Sequence, residues 1–134
     1  MIYRGSCHCQ AIGFAYETEV PPGAWTVRAC GCRFCRAHAA ATTSDPAGAL
    51  ALTCRDPAQL VRYQFGLGVT EFWLCRTCGV YLGAFTRDGR FGIINTHALV
   101  DPVALPAPSA RSYDGETAAS RTARREQRWT PMRS

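Results

Sequence analysis

Short apolar stretches alternate with turn-forming residues along the first 100 residues of the chain. Several stretches place apolar and polar side chains in turn, a pattern typical of strands with one buried face. The predicted strands are residues 11–17, 24–29, 50–54, 60–65, 69–74, 80–85 and 90–99. Many short strands at close spacing predict a mainly β protein with antiparallel sheets.

A short helix is predicted near the C-terminus. It begins at Asp114 or Gly115 and ends at about Arg128, with an acidic residue near its start and arginines near its end. This order of charges stabilises a helix through its dipole. The preceding residues 101–108 contain three prolines and predict a linker that folds back on the strands. A single helical turn leading into a strand is predicted within residues 37–43.

The length and composition fit one compact domain. Of the 134 residues, 47% are hydrophobic, which suffices for a core and excludes a disordered tail protein. We expect a zinc-binding domain over residues 1–110 and a basic helix or tail over residues 111–134 that packs on it or extends from it. No apolar run is long enough to span a bilayer and the N-terminus lacks a secretion signal, so a cytoplasmic protein without membrane attachment is predicted.

The net charge of +5 comes from arginine alone, since the chain contains no lysine. Residues 111–134 hold six arginines and three acidic residues. A basic segment of this kind can bind nucleic acid or an acidic partner. It contains only Tyr113 and Trp129 for stacking on bases, so nucleic-acid binding is not expected and a solvated helix face is the simpler interpretation.

The eight cysteines are the residues most informative about chemistry. Seven fall into three tight clusters, whereas Cys54 stands alone in an apolar alternating segment, where we expect it to be a small core residue. In a reducing compartment, clustered thiols bind metal more often than they form disulfides. The sequence therefore predicts zinc as the cofactor, with two ions per chain.

Two of the clusters can together form a closed four-thiolate site. Cys7 and Cys9 are two residues apart, so a strand would turn both sulfurs to one side. Cys75 and Cys78 form a zinc knuckle followed by Gly79, whose left-handed backbone would turn amides toward sulfur. Four thiolates complete the coordination of a structural zinc ion.

The third cluster supplies three thiols, Cys30, Cys32 and Cys35. Spacing alone permits another division, in which the first pair shares an ion with two thiols of this cluster and the third joins the knuckle. Either division leaves one zinc ion with three thiolates and a position open for substrate. His38, at helical spacing from Cys35, would close that position as a ligand, and His97 on a late strand is a candidate base or ligand.

Residues near the third cluster could complete a substrate pocket. Arg33 and Arg36 flank the cluster and could either hold a substrate carboxylate or be solvated. Phe34, Trp25 and Trp73 could line the pocket, although core packing is the more common role of such side chains.

A zinc ion held by three thiolates favours thiol chemistry. Its net negative charge makes it a weak Lewis acid, which suits binding of a thiol better than activation of water. A thiol bound there would remain nucleophilic enough to attack a small carbonyl group.

Four motifs occur along the chain in a characteristic order and spacing. They are Gly5-Ser6-Cys7-His8-Cys9, Cys30-Gly31-Cys32-Arg33-Phe34-Cys35-Arg36, Phe65-Gly66 and Phe72-Trp73-Leu74-Cys75-Arg76-Thr77-Cys78-Gly79. With these motifs, residues 3–100 resemble the glutathione-dependent formaldehyde-activating enzyme family, which shares its domain with centromere protein V. The chain departs from the family at Gln10, where a glycine usually follows the first cysteine pair.

The resemblance implies a β-tent fold with one structural and one catalytic zinc ion. The positions that match the structural ligands are Cys7, Cys9, Cys75 and Cys78, and those that match the catalytic ligands are Cys30, Cys32 and Cys35. The implied activity is formation of S-hydroxymethylglutathione from formaldehyde and glutathione, which in reverse is a carbon–sulfur lyase reaction. We therefore expect a lyase-type enzyme for a small thiol or thiol adduct. The alternative is a non-catalytic zinc module that binds protein or nucleic acid.

Overall fold

The computed structural model describes residues 1–133, which form eleven strands and two α-helices. The strands are β1 (Ile2–Ser6), β2 (Ile12–Glu17), β3 (Arg28–Cys30), β4 (Thr42–Thr43), β5 (Ala49–Cys54), β6 (Leu60–Tyr63), β7 (Thr70–Cys75), β8 (Tyr81–Thr86), β9 (Phe91–Asn95), β10 (Ser109–Arg111) and β11 (Thr130–Pro131). The helices are α1 (Arg33–Ala37) and α2 (Ala118–Arg128), and short 3-10 turns lie at Pro22–Ala24, Pro57–Gln59 and Thr96–Ala98. The predicted mainly β, antiparallel fold with a short C-terminal helix is confirmed.

The smaller sheet has the strand order β1-β2-β5 and is antiparallel throughout. It contributes Phe14 and Leu50 to the core, and both side chains are fully buried. Burial of such a side chain stabilises a fold by roughly 1.5–3 kcal/mol. Gly5 lies opposite Phe14 in the register, and the Phe14 ring fills the space that any larger side chain at residue 5 would need.

The larger sheet has the strand order β10-β3-β4-β9-β8-β7-β6, and β11 pairs with β9. Its strands are antiparallel except for β10 and β3, which run parallel. This parallel pair places Arg111 beside Cys30, and the Gly31 amide donates to the Arg111 carbonyl at 3.0 Å. The C-terminal segment therefore starts next to the three-cysteine cluster. The predicted domain boundary at residue 110 falls inside β10.

Helix α2 packs against the larger sheet and is fixed at its start by a capping box. The Thr117 hydroxyl accepts from the Ser120 amide, and the Ser120 hydroxyl accepts from the Thr117 amide. The helix consequently begins a few residues later than the sequence predicted. Arg125 is buried and donates to the Thr70 hydroxyl on β7, and Trp129 after the helix is buried as well. The expectation of a solvated arginine face is therefore wrong for this side of the helix.

Some short elements differ from the sequence-based prediction. Only the end of residues 24–29 joins strand β3, and a 3-10 turn precedes it. The first helical turn lies at Arg33–Ala37 and not within residues 37–43, because the Cys32 sulfur accepts the Cys35 amide and caps the helix there. Strands β1, β10 and β11 were not predicted. Within residues 1–133, no helix is both long and apolar enough to cross a membrane.

Candidate metal centres and the adjoining cavity

Four cysteine sulfurs meet where the turn after β1 approaches the turn between β7 and β8. The Sγ atoms of Cys7, Cys9, Cys75 and Cys78 all lie within 4.8 Å of one another. The Cys9 sulfur is 3.6 Å from that of Cys7 and 3.5 Å from that of Cys75. A tetrahedral zinc ion about 2.3 Å from each sulfur separates the sulfurs by roughly 3.8 Å, so the spacing of this group fits zinc.

The backbone on both sides of this group turns through a left-handed residue. Gly79, directly after the knuckle, has φ of 79°, and its amide donates to the Cys75 carbonyl at 2.9 Å. Gln10, directly after the first cysteine pair, has φ of 70°. This conformation favours glycine, so the departure from glycine at residue 10 places a side chain on a strained backbone.

The second group, Cys30, Cys32 and Cys35, lies where β3 leads into α1. Its three sulfurs also lie within 4.8 Å of one another. The Cys32 amide donates to the Cys30 sulfur at 3.5 Å, and the Cys35 amide donates to the Cys32 sulfur at 3.4 Å. Amide donors favour thiolates, the form of cysteine that binds zinc. The spacing and the donor set of this group fit a zinc ion held by three sulfurs.

The thiols of the second group share their protons unequally. The pKa of Cys30 is lowered to about 5, chiefly because the Cys35 thiol donates a hydrogen bond to it. The same hydrogen bond raises the pKa of Cys35, since the donating thiol keeps its proton, and burial adds to this effect. The group therefore holds a thiolate at neutral pH.

Neither candidate histidine belongs to the second group. Among residues 1–133, the potential ligands gathered at this place are the three cysteines alone. The His38 ring packs against Phe34 and Tyr81, with ring centroids 4.6 and 5.4 Å apart. His97 is exposed in the 3-10 turn after β9 and lies outside the group as well. A tetrahedral ion at these sulfurs would lack a fourth protein ligand from the described part of the chain.

The alternative division of the cysteine clusters does not occur in the fold, because the knuckle lies with the first pair and not with the third cluster. Cys54 lies in neither group. It is exposed at the end of β5, so the expectation of a core residue is wrong. Alternation along this strand does not reveal that its last residues extend beyond the core.

A cavity of about 360 Å³ adjoins the second cysteine group. All three of its cysteines line the cavity. Aromatic side chains form another part of the lining, namely Phe65, Phe72, Tyr81, Tyr113 and Trp129. The volume is in the range of pockets that bind small organic molecules.

Four arginines line the same cavity, Arg28 from β3 and Arg121, Arg124 and Arg125 from α2. Arg33 and Arg36, which flank the cysteines in sequence, are exposed on α1 and do not line it. The arginines of α2 were missed as pocket residues because they lie far along the chain. Their helical spacing, which places them on one face, is the signal that could have indicated a shared role.

Two of these arginines are held by Glu116. Its carboxylate accepts from Arg121 Nε at 2.9 Å, from Arg124 Nε at 2.7 Å and from Arg124 Nη2 at 3.0 Å. The bonds from Arg124 first, and then from Arg121, lower the pKa of Glu116 to about 2. Glu116 is therefore ionised over the whole physiological pH range.

The other two arginines are buried beside hydroxyl groups. Arg28 donates to the Ser44 hydroxyl at 2.5 Å. Arg125 donates to the Thr70 hydroxyl, and its guanidinium lies 4.3 Å from the centroid of the Trp129 ring. Burial is the main cause that lowers the pKa of Arg125 to about 9, and it lowers the pKa of Arg28 as well. Both guanidinium groups remain charged at neutral pH.

Tyr81 on β8 presents a hydroxyl without a partner. The side chain is buried and lines the cavity, and its hydroxyl forms no hydrogen bond with any described residue. Burial, followed by negative charge in the neighbouring three-cysteine group, raises the pKa of Tyr81 well above its ordinary value. The hydroxyl therefore remains protonated and able to donate a hydrogen bond.

The three aromatic residues considered for the pocket wall pack elsewhere. Trp25 is buried in the main core. Trp73 packs against Phe85 with ring centroids 4.8 Å apart. Phe34 lies against the edge of Tyr81 at 5.2 Å, outside the set of residues that line the cavity.

The chain is similar to a known protein family and to a solved structure. A family model described as glutathione-dependent formaldehyde-activating enzyme matches residues 2–115. The crystal structure of a Rhodobacter sphaeroides protein, a structural genomics target, has a TM-score of 0.58 and 32% sequence identity to the chain. This similarity covers 81% of the present chain and 99% of the Rhodobacter chain. Comparison with curated proteins finds no match.

Proposed function

Because the chain belongs to the glutathione-dependent formaldehyde-activating enzyme family, we propose that it adds a thiol to a small aldehyde with the help of zinc. In reverse, this is a carbon–sulfur lyase reaction. The observation that carries the proposal is the group of Cys30, Cys32 and Cys35 beside a cavity, with no fourth ligand from residues 1–133. A structural zinc site has four protein ligands, whereas a reactive site keeps one position for substrate.

Under this proposal the protein holds two zinc ions in different roles. The structural ion is assigned to Cys7, Cys9, Cys75 and Cys78, and the catalytic ion to Cys30, Cys32 and Cys35. When bound, the catalytic ion supplies a position at which a thiol binds as a nucleophilic thiolate. The structural group joins two turns separated by 66 residues, which supports its role in stability.

The residues around the cavity prepare the thiol and the aldehyde for reaction. The amides of Cys32 and Cys35 orient the cysteine sulfurs, and the aromatic lining limits access of water. The thiol gives its proton to solvent, and its sulfur forms a bond to the carbonyl carbon. The π pair of the carbonyl moves to oxygen, which takes up a proton from solvent, so formaldehyde gives an S-hydroxymethyl adduct. The reaction needs no oxidant or reductant.

We assign Tyr81 as the hydrogen-bond donor to the carbonyl oxygen. Its unpartnered hydroxyl and its place in the lining, together with the three cysteines, support this role. Negative charge develops on the oxygen as the carbon–sulfur bond forms, and a positioned donor stabilises that charge. Removal of one such donor typically lowers kcat about 100- to 1,000-fold.

The alternative function, a non-catalytic zinc module for a protein or nucleic-acid partner, has less support. A module of that kind would expose its basic side chains to the partner. In the C-terminal segment, three arginines line the cavity instead, and the most buried of them, Arg125, is 6% exposed.

The proposed function is tested with the variant Cys32→Ser. We expect zinc-loaded Cys32→Ser to contain about half the zinc of the wild type, because the four-cysteine group is unaffected. It should also no longer catalyse formation of the S-hydroxymethyl adduct from formaldehyde and a thiol, followed by NMR. Cys54→Ser is the matched control, because Cys54 is exposed and lies outside both groups. Wild-type turnover by Cys32→Ser would contradict the proposal.

A further inference from the structure

We propose that helix α2 builds a carboxylate-binding wall of the cavity, so that the thiol substrate carries a carboxylate. The inference rests on the proposed function for the thiol end of the substrate. The wall consists of Arg28, Arg121, Arg124 and Arg125. Three of the four lie on α2, beyond residue 115, where the family match ends. The wall is thus built mainly from a part of the chain outside the matched family region.

Two members of the wall are buried cations without a carboxylate partner. Arg28 and Arg125 are 9% and 6% exposed. Within residues 1–133 their side-chain partners are the hydroxyls of Ser44 and Thr70, and Nε of Arg125 has none. Burial of a charge without a counter-charge is costly. An anion that enters the cavity would therefore be stabilised by both cations.

The other two members already hold a carboxylate from the chain itself. Arg124 donates two hydrogen bonds to the Glu116 carboxylate, from Nε at 2.7 Å and from Nη2 at 3.0 Å, and Arg121 Nε donates a third at 2.9 Å. The guanidinium of Arg124 is further fixed 3.9 Å from the centroid of the Tyr113 ring. Bidentate arginine–carboxylate pairs are among the strongest hydrogen-bonded ion pairs. Arg121 and Arg124 therefore have, toward Glu116, the geometry with which arginines bind a carboxylate.

The charge around the cavity remains positive after its acidic residues are counted. Asp114 also lines the cavity, so the four guanidinium groups face this carboxylate and that of Glu116. The surplus cations lie on the same cavity as the three cysteines. A small mercapto acid carries both groups that this lining can bind, a sulfur for the ion at the cysteines and a carboxylate for the arginines, and fits a space of about 360 Å³.

The test compares two ligands that differ in charge at one end, 3-mercaptopropionate and 3-mercaptopropionamide. Their affinities for the zinc-loaded protein are measured by isothermal titration calorimetry. We expect the acid to bind about tenfold more tightly than the amide, since a hydrogen bond to a charged group is the difference. Arg121→Gln and Arg124→Gln should each weaken binding of the acid about tenfold and leave the amide unchanged.

Two further variants separate recognition from a loosened helix. Arg128→Gln is the matched control, because Arg128 is exposed on α2 and does not line the cavity, and it should change neither affinity. Glu116→Gln removes the competing carboxylate and frees Arg121 and Arg124, so it should strengthen binding of the acid. If Glu116→Gln instead detached helix α2, binding of the acid would weaken.

The outcomes distinguish this inference from the proposed function. Equal affinities for acid and amide, or equal losses for both ligands in the arginine variants, would overturn the wall while thiol addition stands. Tighter binding of 2-mercaptoethanesulfonate than of the acid would overturn the assignment to a carboxylate. If neither thiol binds, the proposed function fails, and the carboxylate-binding wall is then tested with propionate. Propionate binding that Arg124→Gln weakens supports the wall, whereas absence of propionate binding overturns it.

Discussion

Loss of the four-cysteine group is expected to destabilise the protein much more than loss of the three-cysteine group. The first group ties Cys9 to Cys75, 66 residues apart, and so joins the turn after β1 to the turn between β7 and β8. In a chain-entropy model, closing a loop of this length stabilises the fold by about 4 kcal/mol. A native domain has a free energy of unfolding of roughly 5–15 kcal/mol. The double variant Cys75→Ser/Cys78→Ser leaves no knuckle thiol to close this loop, so it should remove a large part of that free energy.

The same reasoning gives a smaller loss of unfolding free energy for Cys32→Ser. The three-cysteine group spans only the six residues from Cys30 to Cys35. Closing so short a loop contributes about 2 kcal/mol in the same model, about half of the value for the first group. The structural and the reactive group should therefore differ in their effect on stability as well as in their effect on turnover.

Urea unfolding of zinc-loaded protein, followed by circular dichroism, measures this difference. Zinc content is determined for each variant in parallel, and Cys54→Ser should unfold within about 0.5 kcal/mol of the wild type as the control for loss of a cysteine. If Cys32→Ser destabilises the chain as much as the double variant Cys75→Ser/Cys78→Ser does, the three-cysteine group is structural, and the division of roles is refuted.

Three further predictions concern single residues. Gln10→Gly should raise the free energy of unfolding by about 1 kcal/mol, because residue 10 has φ of 70°, and lower stability in urea would contradict this. Tyr81→Phe should keep its zinc and its stability but lose about 100-fold or more in kcat, since the hydroxyl has no partner in residues 1–133; an unchanged kcat would remove Tyr81 from the mechanism. Hydrogen bonds from Arg124, then from Arg121, lower the pKa of Glu116 from 4.5 to about 2. The stabilisation from ionised Glu116 is therefore fully present above about pH 4.5 and is lost as the pH falls toward 2. In acid titrations, the difference in free energy of unfolding between the wild type and Glu116→Gln should shrink over this range. A difference that is the same at neutral and at acid pH would contradict the assignment.

The sequence predicts those strands whose burial is encoded locally. Strands β2, β5, β7 and β8 each bury apolar residues and each was predicted close to its observed bounds. Strand β10 gave no such signal, because its three residues are all exposed and its backbone pairs with β3, far away in sequence. Strand formation there depends on a tertiary contact that a local pattern does not contain.

The same distinction explains which parts of the candidate site could be predicted from the sequence. The cysteine clusters were found because ligands of one ion often lie close together in sequence, although spacing alone left two divisions open. The wall of arginines was not found, because Arg125 is buried by a contact to Thr70, 55 residues away. Before folding, these arginines have the pattern of a solvated helix face, and their burial is decided by the sheet on which α2 packs.

The central claim is that the ion at the three-cysteine group accepts a thiol as its fourth ligand. A crystal structure of the zinc-loaded protein with 3-mercaptopropionate tests it most directly. We predict that the ligand sulfur lies about 2.3 Å from a zinc ion held by Cys30, Cys32 and Cys35. A side chain of the protein in the fourth position, or no ion between these cysteines in zinc-replete protein, would contradict the claim.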